Sequence, residues 1–223
     1  MKSVYYVAAL AAITCALFGG VRPAQAWAGS NTGPWFTYWS GSYEMMTNEW
    51  GSTAPLTMYY NSATNWNLYC NFTGGGVKCY SCVQVATSAP IGTTISANFN
   101  GSPNAGTYDE SFDDWDSDGN EFMVWESWGG GAGPVGSEIA SNVNIDGANW
   151  NVYEGNDGHT CISFLRTSQR TSGSEQYLND FTQWAYYNGK TSDTTMRSFA
   201  FGFEVSSTNG WENWTLNSYS ASW

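Results

Sequence analysis

The chain is expected to fold as an all-β sandwich of two stacked sheets with a single helix on the outside. Short segments alternate apolar with polar residues, clusters of Gly, Asn, Ser and Pro punctuate them, and only one stretch carries apolar residues at helical spacing. Strands rich in aromatic and β-branched residues are predicted at 56–60, 66–72, 77–84, 121–125, 143–145, 149–153, 161–166, 198–205 and 214–221. Asn71-Phe72-Thr73-Gly74-Gly75-Gly76 reads as a hairpin-like turn between two of them. The period then changes. Ser172-Gly173-Ser174-Glu175 has the form of a capping box, Tyr177, Leu178, Phe181, Trp184 and Ala185 share a helical face, and Asn188-Gly189 ends the segment.

Residues 1–26 read as a secretory signal peptide. Lys2 supplies the charged start, Val7 to Phe18 the apolar stretch, and Ala24-Gln25-Ala26 the small-x-small cleavage site. No repeat or linker-like tract divides the rest of the chain, so 27–223 is predicted to be one domain, exported and extracellular. Four cysteines remain in it: Cys70, Cys79, Cys82 and Cys161. An oxidising destination makes one or two disulfides the default, and Cys70 with Cys79, flanking the turn, is the preferred pair. Cys79-Tyr80-Ser81-Cys82 is not read as a zinc or redox motif, because the chain has a single His and the motif opens no helix.

Composition narrows the partner. The chain has 7 Lys plus Arg against 19 Asp plus Glu, a formal net charge of -12, which argues against nucleic acid and anionic membranes as partners. It also has 13 Trp, 14 Tyr and 11 Phe. Aromatics beyond the needs of a core suit a neutral polysaccharide, whose C–H faces stack on Trp and Tyr while acids and amides bond its hydroxyls.

Two glutamates in matched contexts stand out. In Asn120-Glu121-Phe122-Met123-Val124-Trp125, a period of two puts Phe122 and Val124 on one face and Glu121, Met123 and Trp125 on the other. In Phe199-Ala200-Phe201-Gly202-Phe203-Glu204-Val205, the Phe residues and Val205 form a core face, and small residues accompany Glu204 on the open one. They read as a catalytic carboxylate pair. Asp114-Trp115-Asp116-Ser117-Asp118-Gly119 matches half of a calcium loop, but position twelve is Trp125 and the flanks are not helical. It is read as a solvated turn, with no cofactor, a structural calcium at Asp114, Asp116 and Asp118 being the other reading. His159, in a turn, is read as a surface residue, and Asn71, Asn100 and Asn213 fit the glycosylation sequon.

Taken in order, Asn48-Glu49-Trp50-Gly51, Tyr108-Asp109, Glu121-Phe122-Met123-Val124-Trp125, Gly133-Pro134-Val135-Gly136-Ser137, Trp150-Asn151-Val152-Tyr153 and Phe201-Gly202-Phe203-Glu204 resemble the motifs of glycoside hydrolase family 12 across nearly all of the mature chain. The resemblance implies a β-jelly-roll with one helix on the convex side and a groove on the concave sheet. It further implies a secreted, retaining endo-β-1,4-glucanase acting on cellulose-like glucan, mixed-linkage glucan or xyloglucan; the protein is expected to be a monomer. On this basis Glu121 is the nucleophile and Glu204 the general acid/base. Asp109 bonds near the nucleophile, Trp50 is a sugar-stacking platform, and Met123 and Trp125 line the cleft. A non-catalytic carbohydrate-binding protein on the same fold, and a xylanase of the similar family 11, are the alternatives. Three departures accompany the match. Glu126 follows Trp125 where an aliphatic residue is usual and is taken as a strand end, Glu110 follows Asp109 where an apolar one is usual, and the family's N-terminal cysteine pair is missing.

Overall fold

A computed structural model describes residues 26–51, 53–90, 94–176, 178–193 and 195–223. The signal peptide read at 1–26 lies outside these but for its last residue, as does Tyr177. In chain order the described strands are β1 (Gly29–Asn31), β2 (Thr37–Ser40), β3 (Tyr43–Met46), β4 (Leu56–Ser62), β5 (Asn65–Cys70), β6 (Cys79–Pro90), β7 (Ser96–Ser102), β8 (Gly106–Asp116), β9 (Glu121–Gly129), β10 (Ser137–Ile145), β11 (Ala148–Asn156), β12 (Thr160–Arg166) and β13 (Ser172–Glu175). Helix α1 (Asn179–Tyr187) comes next, followed by β14 (Thr195–Thr208) and β15 (Glu212–Ser222).

They form two sheets, a smaller one ordered β1-β4-β5-β15-β7-β13 and a larger one ordered β10-β11-β12-β9-β8-β14-β6-β3-β2. Pairing is antiparallel except between β12 and β9, which run parallel. This is the expected jelly-roll sandwich. Its core is the alternate residues of both sheets: Phe199, Phe201, Phe203 and Val205 of β14 meet Trp66, Phe99, Trp214 and Tyr219 of the smaller sheet. The smaller sheet does not cover β10–β12, and there α1 takes its place. Phe181 packs edge-on to Trp150 at 4.9 Å and Phe164 at 5.2 Å. The helix therefore lies against the larger sheet on the side away from the cleft.

Four sequence readings change. Ser172–Glu175 is not a capping box: it forms β13 on β7, and Glu175 turns inward to Arg166 and Arg170. The first helical residues carry no side-chain cap. Segment 71–76 is not a hairpin, because β5 and β6 belong to different sheets. The expected disulfide is absent with it: Cys70, Cys79, Cys82 and Cys161 are all buried free thiols. Cys70 and Cys79 join the interior between the sheets, where burial pushes the Cys79 thiol up to about 12, while Cys82 and Cys161 face the other side of the larger sheet.

Glu126 does not end its strand. β9 runs on to Gly129, and the pairing skips from Ser111↔Trp125 to Glu110↔Ser127, so Glu126 is the extra residue of a β-bulge. The bulge points both Glu126 and Ser127 inward. Glu126 is fully buried and is met by the Arg170 guanidinium, Nε to Oε2 at 2.7 Å and Nη2 to Oε1 at 3.0 Å, which satisfies a charge that would otherwise be too costly to bury.

Candidate active site

The cleft lies on the outer face of the larger sheet, and strand alternation decides what enters it. Glu121 opens β9, with Trp115 of β8 and Cys161 of β12 as its neighbours in register. Glu204 on β14 sits opposite Asp109 of β8 and Tyr80 of β6. β8 thus runs between the two glutamate strands. Glu121, Glu204, Asp113, Trp50, Trp115, Met123 and Trp125 line one cleft of about 400 Å³. Trp50 stands at its rim, 49% exposed, whereas Met123 and Trp125 are buried in its floor.

Gly202 keeps its place for a reason other than room for a ligand. A Cβ there would run into the backbone carbonyl of Ser81 on β6, so the glycine lets β14 and β6 approach beside Glu204.

The two glutamates have different surroundings. Burial raises the Glu204 carboxyl above the ordinary carboxylate range, the negative charge of Glu121 raises it further, and a hydrogen bond with Asp109 pulls the other way. Asp109 is itself pushed well up, first by burial and then by Glu204. Ser111 Oγ donates to its Oδ1 at 2.6 Å, and Tyr80 donates to the Ser111 carbonyl at 3.0 Å. Asp109 therefore belongs to Glu204 and not, as read from the sequence, to Glu121. The acid that faces Glu121 is Asp113, diagonal to it across the β8–β9 ladder and pushed well up by burial and by the Glu121 charge. Asp113 was legible in principle. Phe112-Asp113 repeats the aromatic-Asp pair of Tyr108-Asp109 and shares its strand parity, but segment 106–116 does not read as a strand, since Asp is depleted in strands. Glu110, the neighbour of Asp109, points into the core instead, where Ser127 Oγ donates to Oε2 at 2.7 Å.

His159 is not the surface residue expected. Its Nε2 lies 3.0 Å from Glu121 Oε2, and its ring packs on Trp115 at 4.7 Å. The acidic turn that precedes Glu121 is organised by its own side chains. Asp116 accepts from the Asn120 backbone and amide at 2.8 and 2.7 Å and from Thr191 at 2.9 Å, while Asp114 is buried in the core. Among the described residues no three His, Cys, Asp or Glu side chains gather closely enough to hold a metal ion.

Two carboxylates set on strands either side of a third, over an aromatic floor and beneath an aromatic rim, define a carbohydrate-cleaving jelly roll. No family model matches the chain. It is similar, however, to xyloglucan-specific endo-β-1,4-glucanase A of Aspergillus aculeatus, 28% identical over 184 residues that span 72% of this chain and 77% of the relative. The enzyme of the same name from Aspergillus niger is 29% identical over 187 residues, 73% of this chain and 77% of the relative. Among solved structures, the xyloglucanase domain of NopAA, a type three effector from Sinorhizobium fredii, in complex with cellobiose, superposes with a TM-score of 0.81 at 30% identity over 88% of this chain and 99% of that one. A family 12 xyloglucanase from Bacillus licheniformis shares the fold, with a TM-score of 0.76 at 22% identity over 87% of this chain and 99% of that one. The chain belongs to glycoside hydrolase family 12.

Proposed function

We propose that the protein is a retaining endo-β-1,4-glucanase that cleaves xyloglucan and unbranched β-glucans, with Glu121 as nucleophile and Glu204 as general acid/base. The observation that carries this reading is the pair itself: two glutamates in one open cleft, one of them held toward its protonated form by burial and by the charge of the other. Retention needs one ionised carboxylate to attack the anomeric carbon and one protonated acid to give the leaving oxygen its proton, with the carboxyls about 5–5.5 Å apart. When the glycosyl-enzyme ester forms, the charge on Glu121 disappears. Glu204 then releases its proton more readily, so it serves as base toward the incoming water.

The remaining site residues take their roles from their positions. Asp109 exchanges a hydrogen bond with Glu204 and positions it, Asp113 supports Glu121, Trp50 offers a sugar-stacking face at the rim, and Met123 and Trp125 shape the floor. The cleft lies across the sheet in the open, which suits binding in mid-chain. Purified 27–223 should lower the viscosity of xyloglucan, barley β-glucan or carboxymethyl cellulose much faster than it releases reducing ends. Release of terminal sugars alone would refute endo action, and binding without cleavage across a broad pH range would make the protein a lectin on this fold. Export through the 1–26 segment is part of the same proposal, and N-terminal sequencing of the mature protein should begin at Trp27.

A further inference from the structure

His159 is the single histidine of the chain, and it touches the nucleophile. Its position follows from β12, which runs parallel to β9 with Cys161 in register with Glu121. A residue two places before Cys161 shares its face and reaches back over the start of β9. There the imidazole is held on two sides, by Glu121 Oε2 at 3.0 Å and by the Trp115 ring, whose own cross-strand partner is Glu121. Of these contacts only that of His159 reaches the Glu121 carboxylate; the Trp115 ring holds the imidazole. The charged groups that line the cleft with His159 are acidic: Asp113 from β8, Glu121 from β9, Glu204 from β14 and Asp157 from the turn that carries the imidazole. Among the described residues no Lys or Arg lines this cleft.

An ionised Glu121 only accepts hydrogen bonds, so Nε2–H is the donor. We propose that His159 is a positioning residue that assists hydrolysis of the glycosyl-enzyme by holding Oε2 of Glu121. This assignment rests on the retaining reading above. In the first half-reaction one Glu121 oxygen bonds the anomeric carbon as the leaving oxygen takes the Glu204 proton. The other, Oε2, becomes the ester carbonyl, and its bond to His159 weakens as the charge is lost. In the second half-reaction water attacks the anomeric carbon, Glu204 takes a proton from that water, and the Glu121–sugar bond breaks with its electron pair returning to the carboxylate. The contact with His159 strengthens as that charge returns. A donor at this atom therefore favours departure of the carboxylate and does not favour its attack.

The test separates the two half-reactions. With dinitrophenyl β-cellobioside the leaving group needs little acid assistance, so kcat tracks hydrolysis of the intermediate and kcat/KM tracks its formation. His159→Ala should lower kcat by about tenfold or more, the size of a lost charge-assisted hydrogen bond, with KM falling at least in step and kcat/KM unchanged or raised. Intact-protein mass spectrometry during turnover should show more glycosyl-enzyme than in wild type. His159→Gln, whose amide N–H reaches the place of Nε2, should recover much of kcat. A fall in kcat/KM equal to that in kcat, without accumulation of intermediate, would overturn the proposal, as would a His159→Gln as slow as His159→Ala when both melt with wild type. Failure of the wild-type protein itself to cleave both the aryl cellobioside and every glucan would instead remove the glycosidase reading, and this assignment with it.

Discussion

Replacing Glu110 with Gln should change how stability depends on pH, and the size of the change can be worked from where the side chain sits. Glu110 is fully buried between the sheets. Ser127 donates to Oε2, Oε1 makes no hydrogen bond within the protein, and a Cβ on Gly101 would collide with that oxygen. Burial, reinforced by the nearby Glu126 charge, raises the carboxyl from 4.5 to about 8. The folded protein therefore keeps this proton over a range in which the unfolded chain has released it. The stability contributed by the neutral acid is fully present below pH 4.5 and is lost as pH rises toward 8. At about 1.4 kcal/mol per pH step the loss amounts to about 4–5 kcal/mol. Glu110→Gln cannot titrate. At low pH it should be about 1 kcal/mol less stable than wild type, because the amide NH2 at the place of Oε1 leaves one more donor without an acceptor than the O–H of the neutral acid does. Near pH 8.5 it should be the more stable protein by several kcal/mol. Urea denaturation of both proteins across pH 4.5–9 measures the difference directly, since other titrating groups are common to the two. Parallel curves would show that Glu110 does not hold a proton in the folded state.

Three other outcomes are expected. Azide should restore turnover of an activated aryl glycoside by Glu204→Ala and give a β-configured glycosyl azide, whereas Glu121→Ala should give the α product; swapped configurations would reverse the two roles. Because Asp109 pulls the raised Glu204 carboxyl downward, Asp109→Ala should move the alkaline limb of kcat/KM to higher pH, and a limb that stays or falls would refute the pairing. Full metal removal should leave the melting temperature unchanged if the turn at Asp114, Asp116 and Asp118 is held by its own hydrogen bonds; a fall that calcium reverses would restore the calcium reading, at about 2.7 kcal/mol for a hundredfold excess over Kd.

Those parts of the fold governed by strong alternation were legible beforehand. The two glutamate strands read correctly in which residues share each face, because Phe199, Phe201 and Phe203 or Phe122 and Val124 leave no choice of which side is buried. What escaped was decided by tertiary contacts. β8 has Asp or Glu at five of its eleven positions, and such a segment becomes a strand only because hydrogen-bonded neighbours on both sides enforce it. Ser172–Glu175 carries the local pattern of a helix start, yet Arg166 and Arg170 claim its glutamate from elsewhere in the fold. The role of His159 depends on a parallel register between β9 and β12, two strands far apart in the chain, and no local pattern encodes that.

The exchange of sheet for helix beneath the larger sheet means that the two halves of the cleft stand on different foundations. Glu204 rides on a strand whose underside, at Phe203, rests on Trp66 and Trp214 of the smaller sheet. The β12 neighbour of the Glu121 strand rests through Phe164 on Phe181 and Trp184, side chains of a nine-residue helix. A short helix depends almost wholly on packing for its order, while the strands of the smaller sheet are also tied laterally by their ladders. Gentle warming should loosen the footing of the nucleophile while that of the proton donor is still firm, so catalysis would fade before the sandwich comes apart.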